Sequence, residues 1–360
     1  MKQYNVAIVG YGRSGRDIHC KLLEQLPGKY KIAAIVDADV QRREMITAET
    51  GATPLADYRE LFDRKDIDFV VNASFNGDHY PISLDLLNHG FNVLSEKPAA
   101  TSPAELDAIL AAADKAGCFY QVFQQYRYAP SYLKVKEVIA SGVLGRIVQA
   151  GLNYSGFARR WDWQTVQAMQ AGSLLNTGPH PVDQALDLMG FPDDFRVCAF
   201  FDRAQTSGDA EDYAKVMLQA ENVPVAEIEI SSCNAYSDYT YLIQGSHGTL
   251  KGTTQKLEWK YYVEADEPER PLILEPLRNE KGEPQYCREQ LTIHEGSWEA
   301  TGEEIDDFNF KGLAFYNALY NFLEKGIAMP ITHDQVRKQL IVMEEAHRQN
   351  SERISAFVKL

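Results

Sequence analysis

The sequence predicts an α/β protein of two domains: a doubly wound parallel sheet, then an α+β domain with a large open mixed or antiparallel sheet. Three observations carry this prediction. Over residues 1–125, short apolar runs alternate with helical segments, the rhythm of parallel strands joined by right-handed crossovers. A glycine-rich turn, Gly10-Tyr11-Gly12-Arg13-Ser14-Gly15, follows the first run. After residue 125 the strand signals become longer and more aromatic, and helices interrupt them rarely. The 360 residues hold two domains at ~150 residues each.

Val6-Ala7-Ile8-Val9 reads as the first strand, with a helix after the glycine turn to about Gln25. Residues 31–36 form the second strand, closed by Asp37, and 67–71 the third, followed by a helix ending near Gly90. Asn92-Val93-Leu94 is the fourth strand. Ser102, Pro103 and Glu105 then make a helix start, with Ser as cap, Pro in the first turn and Glu three residues on. That helix stops at Gly117, and residues 119–123 form the next strand. In the second domain a helix spans 131–141, and strands are expected at 147–154, 196–201, 213–219, 225–231, 239–244 and 257–263. Residues 264–310 read as loop, rich in Glu, Pro and Gly. Helices close the chain at 313–325 and 334–351, with Gly326 as stop for the first and Asp334 as a capping aid for the second.

Composition narrows the function. The net charge of −15, with no Lys/Arg run, argues against nucleic acid and anionic membrane as partners. No stretch approaches the ~20 apolar residues of a membrane helix. The five cysteines are scattered, with no Cys-x-x-Cys pair, which points to reduced thiols and a cytoplasmic location. No His-x-x-x-His or cysteine cluster suggests a metal.

The glycine turn sits between a strand and a helix, where Gly10, Gly12 and Gly15 match a dinucleotide fingerprint. Arg13 and Ser14 fall where a helix N-terminus presents free N–H groups to phosphates. Asp37, 22 residues beyond Gly15, is placed to accept from both adenosine ribose hydroxyls and to repel a 2′-phosphate. NAD is therefore expected over NADP. Arg42 and Arg43 could serve a phosphate, but solvated charges on the next helix is the stronger reading. A first domain of residues 1–125 is thus a Rossmann dinucleotide-binding domain, with 126–360 left for substrate binding and oligomerisation.

Glu96-Lys97-Pro98 ends the fourth strand, which puts Lys97 at the ligand-binding edge of the sheet. Ser74, Asn76 and His79 follow the third strand and are expected along the same crevice. His180 lies between Pro179 and Pro181, so a helix is expected to open there, with Pro181 at its start. A helix N-terminus disfavours imidazolium and so keeps a base neutral. Trp161 and Trp163, with Arg159, Arg160 and Asp162, could grip a sugar or pack in a wet loop. Tyr154, Tyr236 and Tyr239 are further wall candidates.

Taken with Arg127-Tyr128-Ala129-Pro130, Gly142-Val143-Leu144-Gly145 and the 172–183 stretch, these motifs make the chain resemble the Gfo/Idh/MocA oxidoreductases over almost its whole length. The resemblance implies a Rossmann domain, a second domain whose open sheet often mediates oligomers, and NAD(P)-linked oxidation of sugar or cyclitol hydroxyls. It assigns catalysis to Lys97 and acid/base work to His180. Asn176 stands where the family most often has aspartate. It can hydrogen-bond a substrate hydroxyl but cannot take a proton, so a carboxylate–histidine relay is in doubt. Asp183 is a candidate substitute carboxylate, or a first-turn acid set against the helix dipole. The leading expectation is an NAD-dependent dehydrogenase for a secondary hydroxyl of a sugar, glycoside (the C3 hydroxyl being one version) or cyclitol. The alternatives are a glycosidase using transient NAD oxidation and elimination, and a non-catalytic NAD sensor. A homo-oligomer is expected from an uncovered apolar sheet face.

Overall fold

The computed structural model describes residues 2–357. Six short strands, β1 (Tyr4–Val9), β2 (Tyr30–Val36), β3 (Thr53–Leu55), β4 (Phe69–Asn72), β5 (Val93–Ser95) and β6 (Tyr120–Val122), form a parallel sheet in the order β3-β2-β1-β4-β5-β6. Their central residues, such as Val6, Ile8, Val70 and Leu94, are fully buried, because helices cover both faces. A π-helical segment Arg13–Cys20 runs into α1 (Lys21–Glu24), and α2 (Val40–Thr50), α3 (His79–Asn88) and α4 (Pro103–Ala116) make the other crossovers. The α4 start is as expected: the Ser102 hydroxyl accepts from the Glu105 N–H, and Gly117 ends the helix at φ 64°. The strand order reverses between β1 and β4, which opens a crevice at their carboxyl ends.

The second sheet has eight strands: β7 (Ile147–Ser155), β8 (Arg196–Asp202), β9 (Tyr213–Gln219), β10 (Val225–Ser231), β11 (Tyr241–Gly245), β12 (Gly248–Gly252), β13 (Lys256–Tyr261) and β14 (His294–Glu299). They lie in the order β14-β13-β12-β11-β7-β10-β9-β8, and only β7 and β10 pair in parallel. Alternate residues such as Val216, Ile228 and Ile243 point inward. They pack on α5 (Pro130–Ala140), α7 (Pro179–Leu188), which follows the single turn α6 (Ser173–Asn176), and the end of α9 (His333–Gln349). The chain described closes with α10 (Ser351–Ser355).

The opposite face of this sheet is open, but it is not the apolar surface expected. Gln149, Lys215, Glu227 and Glu229 form a ladder of ion pairs and hydrogen bonds across it, with Phe200 and Met217 as apolar members. Three strands escaped the sequence reading. β3 has three residues and β12 is bounded by Gly248 and Gly252, so neither shows a period, and β14 lies inside the stretch read as loop. The helix expected from Leu313 begins at Asp307, capped by Asp306. The cap of α9 is Thr332, in a capping box with Gln335, and Asp334 lies within the first turn.

Helix α8 (Asp307–Lys325) returns to the first sheet. Phe315, Tyr316, Leu319 and Tyr320 sit in its core beside Leu22, Tyr30 and Phe123. Gly312 lets α8 approach α1, since a Cβ there would lie 2.5 Å from Leu22 Cδ1. Phe315→Ala is expected to lower the unfolding free energy by about 3–5 kcal/mol, the cost of truncating a buried Phe. Urea denaturation checks this, and an unchanged midpoint would show that α8 adds nothing to the first core.

Candidate active site

The glycine turn is shaped by close packing. A Cβ on Gly15 would lie 1.8 Å from the Gly10 carbonyl oxygen, and one on Gly10 (φ 95°) would lie 2.5 Å from that of Ala73. No side chain caps the Arg13–Cys20 segment, so the N–H groups of its first turn face the cleft for a phosphate. Beside it the Asp37 carboxylate accepts from the Tyr11 N–H (2.8 Å) and the Asp39 N–H (2.9 Å). Arg42 is not simply solvated: its Nη1 lies 3.4 Å from Asp37 Oδ2 and both residues line the cleft. Arg43 turns away to the carbonyls of Asp37 and Ala38.

The cleft has a volume of about 760 Å³ and runs from Gly10, Gly12, Arg13 and Ser14 past Asp37 and Ser74 to the domain junction. There Glu96, Lys97, Trp163, Asn176 and His180 line it. These donors and this room suit a dinucleotide. The other expected residues lie elsewhere. His79 is buried, with its ring nitrogens on the carbonyls of Pro98 (2.7 Å) and Ser74 (3.2 Å), so it braces the Lys97 turn from behind. Asn76 is buried and donates to Asn176 Oδ1 and the Gln170 carbonyl. Trp161 (81% exposed) and Tyr236 (84% exposed) point to solvent, Arg159 is exposed, and Tyr239 is outside the lining of the cleft. Tyr154 lines a smaller polar chamber of about 210 Å³ that adjoins the cleft and shares Arg160, Gln164, Asn176 and Thr177 with it.

At the junction Lys97 Nζ donates to the Asn176 carbonyl at 2.8 Å. Burial, reinforced by Arg13, lowers the pKa of this ammonium, and Glu96 opposes the shift. Burial works against the Glu96 charge too, yet His19 at 3.2 Å and the neighbouring Lys97 hold its pKa down to about 2. His180 is 7% exposed and lies in the first turn of α7, which Pro179 opens in place of Pro181. Burial, with Lys97 and Lys311 nearby, keeps its pKa well below the ordinary 6.5, so the imidazole is neutral.

Neither Asp183, the candidate substitute carboxylate, nor Asn176 hydrogen-bonds this imidazole. Asp183 is buried and bound by Arg127 through Nε (2.5 Å) and Nη2 (3.0 Å). The Asn176 amide is held at both ends, accepting from Asn76 (3.0 Å) and donating to the Gln164 carbonyl (2.8 Å), which leaves one N–H and one lone pair on the side that lines the cleft and the polar chamber. The sequence reading missed Tyr126, whose ring stacks on His180 at 3.8 Å and lines the cleft with Gln125 and Phe308. Its place directly before the Arg127–Pro130 motif was the available signal. It also missed Glu211, which lies under the loop that carries Asn176.

Residues 4–124 match the family described as "Oxidoreductase family, NAD-binding Rossmann fold", and residues 132–251 match the "GFO/IDH/MocA C-terminal domain". The scyllo-inositol 2-dehydrogenase (NADP(+)) IolW of Bacillus subtilis is 24% identical over 97% of this chain and 94% of its own. Inositol 2-dehydrogenase 2 of Saccharopolyspora erythraea is 30% identical over 63% of this chain and 66% of its own. Among solved structures, the WlbA dehydrogenase of Bordetella pertussis in complex with NADH and UDP-GlcNAcA superposes with a TM-score of 0.74 at 20% identity, over 97% of this chain and 96% of that one. No helix among the described residues is long and apolar enough to cross a membrane.

Glu211 makes the anchoring of the Leu174 turn depend on pH. Burial pushes its carboxyl up to about 7, although it accepts from the Leu174 N–H at 2.9 Å. Between the ordinary 4.5 and about 7 the folded chain keeps a proton that the unfolded chain has released, so stability falls as pH rises through that window. Glu211→Gln is expected to gain stability over the native chain across the window and to hold the gain above it. Urea unfolding of both proteins from pH 4 to 8 measures this, and a difference that does not vary with pH contradicts it.

Proposed function

The chain belongs to the GFO/IDH/MocA oxidoreductase family, and from that premise we propose that it is an NAD-dependent dehydrogenase for a secondary hydroxyl of a sugar, glycoside or cyclitol. One observation carries the reading. A lysine from the first domain and a neutral histidine from the second line the same cleft, at the end away from the phosphate-binding turn. The polar chamber beside them, with Arg160, Gln164 and Thr206 on its walls, suits a polyhydroxylated ring. The relatives named for inositol oxidation support the cyclitol branch of that class.

When bound, the dinucleotide supplies the hydride acceptor, which leaves binding, orientation and the proton to the protein. Lys97 spends one N–H on the Asn176 carbonyl and keeps two for the substrate oxygen. It polarises that oxygen and stabilises the alkoxide as it forms. His180 takes the hydroxyl proton through the nitrogen that faces the cleft. The lowered basicity that keeps it neutral also lets it pass the proton on to water.

Asp37 favours NAD, because its carboxylate stands where a 2′-phosphate would add a second negative charge. Arg42 weakens that preference without removing it, being already paired with Asp37. A second copy of the chain is the proposed cover for the ladder face of the eight-stranded sheet.

Titration calorimetry is expected to show tighter binding of NAD than NADP, with Asp37→Ala narrowing the gap. Tighter NADP binding overturns the preference. With NAD and a panel of sugars, glycosides and cyclitols, NADH should accumulate with a keto product. Lys97→Ala and His180→Ala should each lower turnover by about 10²-fold or more, the low end of general acid–base effects. The double variant should be little worse than the worse single one, since the two act on one oxygen. Hydrolysis without NADH build-up, or full turnover by His180→Ala, contradicts the reading.

A further inference from the structure

A catalytic histidine is commonly oriented by a carboxylate or carbonyl on its second ring nitrogen. His180 has no such partner. Its Nδ1 is buried and makes no hydrogen bond among the described residues. The two side chains that could have served, Asp183 and Asn176, are committed to Arg127 and to Asn76 and Gln164. What holds the imidazole plane is Tyr126, stacked at 3.8 Å between centroids with the rings 21° apart. The same tyrosine ring carries Lys311 Nζ at 3.9 Å from its centroid. Lys311 is 1% exposed and paired with Asp307 one turn earlier on α8.

We propose that Tyr126 and Lys311 are positioning residues for His180: the ring fixes the imidazole by stacking in place of a hydrogen bond, and the buried ammonium on the far-travelled helix α8 keeps that imidazole unprotonated. The inference rests on the reading of His180 as the proton acceptor. Lys311 lines neither the cleft nor the polar chamber, so it reaches the site only through the ring it sits on.

The charged groups around the stack come from three places in the fold. Lys97 at the end of β5 and Lys311 on α8 both oppose imidazolium, and Asp307 on α8 partly offsets Lys311. Arg13, from the glycine turn, faces Tyr126, and Tyr241 of β11 and Tyr154 of β7 stand nearby as neutral phenols. Burial and Asp307 push the Tyr126 hydroxyl up to about 12, so its ring is uncharged. Lys97 and Lys311 are the charges that act on the imidazole, and the positive field they make disfavours its protonated form.

The two members of the buried pair make opposite predictions. Lys311→Met removes the cation and leaves Asp307, so the His180 titration midpoint should rise, because one of the two cations that oppose imidazolium is gone. Asp307→Asn leaves the cation and should not raise it, and Lys311→Arg, which keeps the charge, should hold the native value. The readout is the imidazole signal of the full chain with ¹⁵N-labelled histidine, assigned from the spectrum of His180→Gln. Where turnover is measurable, the acid limb of kcat/KM should move with the same sign. Tyr126→Leu should lower kcat by up to about 10²-fold through loss of orientation, and Tyr126→Phe, which keeps the flat ring, should recover most of it. A midpoint unmoved in Lys311→Met, a rise in Asp307→Asn, or native turnover in Tyr126→Leu overturns the proposal. The titration needs no substrate. If no polyol is oxidised, the proposed function fails while the stack is still tested on its own terms.

Discussion

The hydrogen bond from Lys97 Nζ to the Asn176 carbonyl is the contact on which the site depends. It ties the end of β5 in the first sheet to the turn between α6 and α7 in the second domain. The Asn76–Asn176–Gln164 amide chain runs beside it and ties the end of β4 to the same turn. With these in place His180, four residues further on, arrives at the cleft in a fixed position. Burial of the junction then sets its chemistry, since a desolvated ammonium and a desolvated imidazole both lose preference for the charged form. Position and proton affinity therefore share one cause, the closure of the two domains over the end of the cleft.

That closure is supported from the far end of the chain. Helix α8 packs on the first sheet through Phe315, Tyr316 and Leu319, while its first turns bring Phe308 to the cleft and Lys311, paired with Asp307, to Tyr126. Tyr316 also receives His19, whose other ring nitrogen reaches Glu96, the neighbour of Lys97. One buried path of polar contacts thus leads from α8 through the first core to the Lys97 turn. It explains why a helix remote in sequence bears on a site built from residues 10–180.

Much of the fold was legible because its signals are local. Gly10 and Gly15 announce a turn that steric contact alone demands, Asp37 ends a strand at a countable distance, and Ser102 caps a helix with Pro103 behind it. Lys97 and His180 were legible through their motif surroundings. The remainder depends on contacts that spacing does not encode. Lys311 looks like any helical lysine until the fold buries it against a residue 185 positions earlier (311 − 126). Asn176 reads as a free amide until Asn76, 100 residues away, donates to its oxygen. Trp161 reads as a sugar platform by type, and only the path of the loop turns it to solvent while Trp163 packs on Phe75 inside the cleft. Arg42 reads as a solvated charge because the return of α2 toward the glycine turn is not visible in its neighbours.

The central claim is that Lys97 and His180 meet at the nicotinamide end of one continuous cleft. A crystal structure of the full chain with NAD tests it most directly. The account predicts the pyrophosphate on the Gly10–Gly15 turn, the adenosine ribose on Asp37, and the nicotinamide ring beside Lys97 and His180. A nicotinamide bound away from both side chains, with the junction closed as described, would contradict it.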